Sequence, residues 1–338
     1  MIRGLHYIGS LEKFERRIAE NPIEDIWHLI DLAASEEKIL EDSPASLSKD
    51  VIPFITESII QAEEFKSSAA SSAEHTRPLQ LYYCFLNLTK AILAWENNRV
   101  SLGHHGLKRI KIPSSTDLLE VSAQVHKGVF WDLLSLKGIA PKRDLRITFD
   151  ELLKRCAYMT WEYEIAYNRK SMVLIPNVDS NTSFTELEIK IQTPPKDFSA
   201  KWEKLLPDFA KYFELKEPAS NYLILALKND APKGSLDAIQ SVLDETVIYS
   251  VFTSPNYFLL PITNVAYSWP QELYLYALSF ILSSLVRYHP DYWHREVIAK
   301  RKNRWIVRRL NSIMERVYPN MMVNIMFSRR IKFASFFW

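Results

Sequence analysis

The sequence predicts an α+β fold that is mainly α-helical: a helical bundle formed by the N- and C-terminal regions, with a small, largely antiparallel β segment in the middle. Three observations lead there. Apolar residues recur near helical spacing through the first hundred residues and again after residue 268. Between those regions lie short runs rich in Val, Ile, Leu, Tyr and Phe, bounded by turn residues, which is how strands read. Hydrophobic residues make up 47% of the 338, enough to exclude global disorder and to fill a core. The expected regions are 1–100 (helical), 101–267 (mixed) and 268–338 (helical, packing back on the first).

The elements follow in order. PIEDIWHLIDLAASEE carries Ile26, Leu29, Ile30 and Leu32 near helical spacing. SLSKD, from Ser46 to Asp50, offers capping residues for a long amphipathic helix through IPFITESIIQAEEFKSSAASSA. His75-Thr76-Arg77-Pro78 breaks that helix and starts the next, LQLYYCFLNLTKAILAWENN. This one is apolar on nearly every face and belongs at the centre of a bundle. Short extended segments and a turn at Pro113 come after Val100, and 147–161 reads as helical again. KSMVLIPNV, ELEIKIQT, NYLILALKN, ETVIYSVF and NYFLLPIT read as strands, with FSAKWEKLLPDFAKYFEL as one helix between the second and third. Ser268-Trp-Pro-Gln is a capping box for a helix that Pro290 stops after His289; Asp291 then caps a further helix through Arg316.

Composition excludes several function classes. Only 7 glycines occur against 17 prolines, and neither GxGxxG nor GxxxxGK[ST] is present, which argues against a P-loop or a dinucleotide fold. Cys84 and Cys156 stand alone in apolar stretches, as buried thiols of a reduced cytoplasmic protein would, and no GxSxG marks a serine nucleophile. The N-terminus lacks a continuous apolar run, so no signal peptide is expected. The longest apolar run, Leu273 to Val286, falls short of the ~20 residues that span a bilayer; it reads as a core helix, with no membrane role. The net charge of +2 conceals a division: Arg287 to Lys332 holds 12 Lys/Arg against 3 Asp/Glu, whereas the first 286 residues hold 30 against 37. Such segregation fits a polyanion or an acidic partner surface, or else a set of solvated helix faces.

Four segments, in order, carry a resemblance: the long helix before Arg77, RPLQLYYCFLNLTKAI, the turn HHGL (His104 to Leu107), and LVRYHPDYW. Together they resemble the bacterial YaaC-like family over most of the chain. The resemblance implies a bacterial, cytoplasmic protein. By analogy such families are linked to the HEPN superfamily of helical, often dimeric, RNA-directed proteins found in toxin and phage-defence systems. HEPN ribonucleases carry an arginine separated from a histidine by four to six residues, and Arg287 and His294 have six between them. In that reading His294 moves a proton at the ribose 2′-hydroxyl or the leaving oxygen and Arg287 grips the phosphate. Tyr288 departs from the usual Asn, Asp or His after the arginine, and Pro290 interrupts the helix. The alternative is structural, with Arg287 on helix-end carbonyls or a carboxylate and His294 at the surface.

The remaining expectations concern binding and packing. Lys300, Arg301, Lys302, Arg304, Arg308 and Arg309 lie on one expected helix, with 301, 304 and 308 on one face, suited to phosphates or to an acidic protein partner. Trp293 and Trp305 either stack on bases or pack helices. Arg77 is expected to pair with an acidic residue of the C-terminal helices, Asn87 to bridge two helices, and Lys90 to stay near the surface. His104, His105 and His126 lack metal-ligand spacing, so no metal or other cofactor is expected; the histidines read as the surface of a turn made possible by Gly103 and Gly106. The function expected is a nucleic-acid-directed protein, with metal-independent ribonuclease activity as its specific form, acting on RNA or another nucleic acid as a homodimer or with a partner protein. The alternative is a non-catalytic interaction subunit that meets a partner protein through its basic helices and β segment.

Overall fold

The computed structural model describes residues 15–43, 47–98, 100, 103–109, 116–192, 194, 197–219, 222–252 and 255–335. Two compact units divide the chain, one holding 16–171 and 269 onward, the other 172–268. The first break therefore follows Ser171, later than the boundary expected at 100, and the chain re-enters the helical unit at Trp269. Pro113 and Ser46 lie outside the described residues.

The helical unit begins with strand β1 (Glu15–Ala19), then α1 (Pro22–Ala33) and α2 (Glu36–Asp42). Asn21 caps α1 through its side chain, with Pro22 in the first turn, and Ser35 caps α2. α3 (Val51–Ser71) and α4 (Arg77–Asn97) form a helical hairpin. As its sequence predicts, α4 is enclosed, with 14 of its 21 residues buried, and it packs against α3 and three later helices. β2 (His105–Arg109), β3 (Ser122–Gly128) and β4 (Arg146–Thr148) make a three-stranded antiparallel sheet in the order β2-β3-β4. α5 (Val129–Leu136) leaves β3 directly. The 147–161 segment, expected as one helix, is the end of β4, then α6 (Phe149–Leu153), a 3-10 turn, and the start of α7 (Thr160–Tyr167).

The second unit is built on a four-stranded antiparallel sheet. Its strands are β5 (Pro176–Ser180), β6 (Leu187–Gln192), β7 (Phe213–Ala219) and β8 (Tyr222–Leu227), ordered β5-β6-β8-β7. Ile189 faces Leu225 and Ile191 faces Leu223 across the ladder, and the alternation sends these four to the core with Leu187. The single helix expected over 198–215 is instead α8 (Phe198–Leu205), α9 (Pro207–Tyr212) and the start of β7. Pro207 lacks the N–H that an unbroken helix requires, so it opens α9 as its first residue. α10 (Leu236–Thr246), absent from the expectation, adds Ile239, Val242 and Leu243 to the same core, and β9 (Ile248–Tyr249) pairs with β10 (Tyr257–Phe258).

α11 (Gln271–Tyr288) returns the chain to the helical unit with 15 of 18 residues buried, ending before Pro290 as expected. The capping box does not form. Gln271 instead accepts from the Ala157 amide at 2.7 Å and donates to the Arg155 carbonyl at 3.2 Å, because burial obliges its amide to find internal partners. The helix expected over 291–316 is divided: α12 (Pro290–Tyr292) runs into a π turn over Trp293–Ile298, and α13 (Arg301–Met326) follows. The π turn leaves the Glu296 carbonyl to the fully buried Asn303 side chain at 2.8 Å. α13 continues through Pro319, which deprives the Glu315 carbonyl of its helical donor but does not end the helix. β11 (Ile331–Ser335) then joins β1. Among the described residues no helix is long and apolar enough to cross a membrane.

Two polar ties lock α4 to α13. Arg77 forks onto Glu315, with Nε at 3.0 Å and Nη2 at 2.5 and 2.6 Å. Thr89 and Tyr318 share a hydroxyl contact at 2.5 Å inside the core. The pairing expected of Arg77 is thus present; Asn87 is buried on α4, and Lys90 is half-buried, with desolvation lowering its pKa. Arg77→Leu is expected to destabilise the protein by about 1–3 kcal/mol, since Glu315 is left as a largely buried, unpaired carboxylate. Adding Glu315→Leu should recover most of the loss; urea unfolding followed by circular dichroism measures both.

Candidate functional site

Arg287 is the first cation after the apolar run of α11, so it stands where that helix emerges from the core. Its Nη1 donates to the Tyr83 hydroxyl, and the guanidinium carbon lies 5.5 Å from the Tyr83 ring centre and 4.6 Å from that of Tyr288. Its Nε is buried without a hydrogen-bond partner. A cavity of about 520 Å³ opens beside it, lined by His104, His105, Lys108, His126, Lys127 and Arg287, with Phe280, Ser284 and Tyr288. None of the described residues lining it is Asp or Glu.

Backbone geometry brings the histidines there. A register shift between His105 and Leu107 makes a bulge at Gly106, whose φ is +79°. A Cβ on Gly106 would lie 2.3 Å from the Phe130 amide nitrogen, and one on Gly128 (φ +134°) would lie 2.1 Å from the His104 carbonyl oxygen. Only glycine permits this approach at either position. His105 therefore opens the bulged strand β2 and His126 lies on its partner β3, where the sequence reading had His104 and His105 on a surface turn. His104 remains exposed, but His105 is half-buried.

His105 is held from two sides. Its Nδ1 lies 2.8 Å from the Tyr82 hydroxyl, and the Tyr276 hydroxyl donates to its backbone carbonyl at 3.2 Å. Burial, then the positive charges of Arg287 and Lys90 and the neighbouring His104, lower its pKa and so favour the uncharged imidazole. Burial pushes the Tyr82 pKa up, which keeps that hydroxyl protonated as the orienting partner. The arrangement suits an anion: a fixed guanidinium, two lysines and imidazoles around a space of ligand size. Although three histidines line the cavity, among the described residues no group of three His, Cys, Asp or Glu side chains is placed to hold a metal ion.

The corner after α11 separates the expected pair. Arg287 lines the cavity; His294, in the π turn, is exposed, does not line it, and stacks on His75 with ring centres 6.4 Å apart and planes 5° apart. Trp293 is buried as a packing residue, 2% exposed.

Most of the basic tract has a carboxylate. Arg304 and Arg308 both fork onto Glu74, at 2.7–3.0 Å and 2.6–2.7 Å, which holds the Glu74 carboxyl at about 2. Arg309 donates to Glu162 at 2.6 Å and Lys300 to Glu296. Lys302 lies 5.3 Å from the Tyr167 ring centre, and Arg301 is exposed. A stripe expected to face phosphates thus largely fastens α13 to its neighbours. Both cysteines are buried, and burial pushes the Cys156 thiol up to about 12, which leaves no activated thiolate there.

A family model described as YaaC-like Protein matches residues 28–326, nearly the whole chain. The chain belongs to the YaaC-like family. Comparison with curated proteins finds no match, and comparison with solved structures finds none. In this YaaC-like chain the helix Arg77–Asn97 and the segment around Arg287, which carried the resemblance, form two sides of the cavity's surroundings through Tyr82, Tyr83 and Arg287. Sequence reasoning found Arg287 but not His105, His126, Lys108 or Lys127 as its companions. The available signal was the strand pairing of HHGLKR with SAQVHKG around two obligatory glycines.

The Glu74 clamp has a pH signature. Its pKa is depressed in the folded state, so its contribution is complete above the ordinary carboxylate value and is lost as pH falls toward about 2. Glu74→Gln is expected to cost about 1–2 kcal/mol at pH 7, allowing for solvent around the two arginines, and to become neutral near pH 2. Urea titrations of both proteins at the two pH values measure this.

Proposed function

We propose that this YaaC-like protein binds RNA at the cavity between Arg287 and His105 and cleaves it without a metal ion. The observation that carries this reading is a lining of cations and imidazoles, free of carboxylates among the described residues, around a guanidinium whose hydrogen bonds are incomplete. Phosphate is the biological anion such a lining fits best, and 520 Å³ is room for one nucleotide unit.

The chemistry follows from the residues present. Arg287 grips the non-bridging oxygens of a phosphodiester, where charge grows in the transition state. Neutral His105 takes the proton of the ribose 2′-hydroxyl, and the freed oxygen attacks phosphorus. The bond to the 5′-oxygen breaks, and His126, on the adjoining strand, returns a proton to that oxygen. The products are a 2′,3′-cyclic phosphate and a 5′-hydroxyl end. Such an enzyme acts on cytoplasmic RNA, and a toxin or phage-defence setting suits it.

The test incubates purified protein with end-labelled RNA and single-stranded DNA in EDTA at two salt concentrations, recording binding and cleavage. RNA alone should be cut, because DNA lacks the 2′-hydroxyl. Arg287→Ala and His105→Gln should each slow cleavage by roughly 100-fold or more, and His126→Ala by a similar factor. His294→Ala should remain active. If His294→Ala is dead while His105→Gln is active, the corner pair Arg287–His294 is the catalytic one. Salt-sensitive binding without cleavage would make the protein a clamp. The absence of both would favour an interaction subunit.

A further inference from the structure

We infer that Trp161 and Trp305 form a stacking platform for the bases of single-stranded RNA, on the surface shared by α7 and α13. The inference rests on the RNA reading above but uses none of the cavity residues.

The two indoles are out of place for a protein with a filled core. Trp161 is 63% exposed and Trp305 36%, and Ile165, one turn after Trp161, is 57% exposed. The rings meet edge to face, 6.1 Å apart at 72°, so this is one patch and not scattered surface residues. Neither tryptophan lies on its helix's core stripe. On α13 that stripe is Asn303, Ile306, Val307 and Leu310; on α7 it is Glu162 and Tyr163. The patch is also held in place, since Arg309 donates to buried Glu162, beside Trp161, at 2.6 Å.

Charge identifies the occupant. Arg301 and Lys302 stand exposed one turn before Trp305; one turn after it Arg309 is held by Glu162, but Arg308 shares a single carboxylate with Arg304 and so leaves positive charge on that side as well. The nearby acids are already engaged: Glu162 by Arg309, Glu74 by Arg304 and Arg308 together, and Glu164 by Lys170. Two arginines on one carboxylate, with Arg301 and Lys302 exposed besides, leave the surface positive. Flat aromatic faces between cations are what a single strand requires, bases on the rings and phosphates on the charges, with little sequence preference. An acidic peptide would satisfy the cations but offer nothing planar to the indoles. A second copy of the same surface would bring like charge.

The experiment measures binding of the full chain to a labelled oligoadenylate of about twelve nucleotides and to an abasic ribose-phosphate chain of equal length. The proteins are wild type, Trp161→Leu/Trp305→Leu, Trp161→Tyr/Trp305→Tyr, and Arg287→Ala. The Leu variant should bind oligoadenylate roughly tenfold or more weakly, the Tyr variant should recover most of the affinity, and the abasic chain should bind wild type and Leu variant alike. Unchanged oligoadenylate affinity in the Leu variant overturns the platform, as does equal loss for the abasic chain. So does a Leu variant that instead loses self-association or binding to polyglutamate. An effect of the tryptophans with none from Arg287→Ala would sink the cavity reading and spare the platform; the reverse would do the opposite.

Discussion

A helix that is apolar around its whole circumference exists in water only if other elements enclose it, and the helical unit is arranged around that requirement. α4 is such a helix, and α3, α11 and α13 each turn a side toward it. Enclosure on this scale, at about 1.5–3 kcal/mol for each large side chain removed from water, dominates the energetics of the unit. The polar ties then select one arrangement among the apolar ones. Arg77 with Glu315 and Thr89 with Tyr318 fix how α13 lies against α4. Tyr82 with His105 fixes the first sheet against the same helix. The cavity forms where the end of α11 meets that sheet, so its geometry is inherited from the packing of the central pair.

The distribution of charge separates structural cations from functional ones. Along α13 Arg304, Arg308 and Arg309 meet carboxylates brought from elsewhere in the chain, Glu74 and Glu162, and Lys300 just before the helix meets Glu296 four residues back. Around the cavity the described residues of the same unit supply none, although His104, His105, Lys108, His126, Lys127 and Arg287 converge there. Burial first, and then the convergent positive groups, lower the pKa of His105, and an anionic ligand relieves the repulsion among those groups. The basic residues from Arg287 onward therefore have two roles: Arg304, Arg308 and Arg309 hold carboxylates, whereas Arg287 lines the cavity and Arg301 and Lys302 stand exposed.

The legibility of the chain follows from the range of the forces involved. The helical nature of the first hundred residues, the central position of α4, the end of α11 before Pro290 and the antiparallel character of the middle segment were all readable, because each depends on periodicity or on a local breaker. Family membership was readable for the same reason, being carried by contiguous stretches such as RPLQLYYCFLNLTKAI. The errors lie where a local signal competes with a distant partner. Ser268 and Gln271 have capping-box spacing, yet buried Gln271 is claimed by Arg155 and Ala157. Pro319 should end a helix, yet burial on both sides carries α13 past it.

What the sequence by itself determined is the inventory of elements and the identity of their apolar faces, since those are written in spacing along the chain. Only the tertiary structure decided which charges are neutralised and which histidine stands beside Arg287. Arg287 and His294 are seven positions apart, yet the helix end and the π turn send them to different surroundings. Arg287 and His105 lie far apart in the chain, and a bulge that only Gly106 and Gly128 allow puts them on one cavity. Electrostatic partners act through space over a few ångströms, and no spacing rule along a chain encodes that distance.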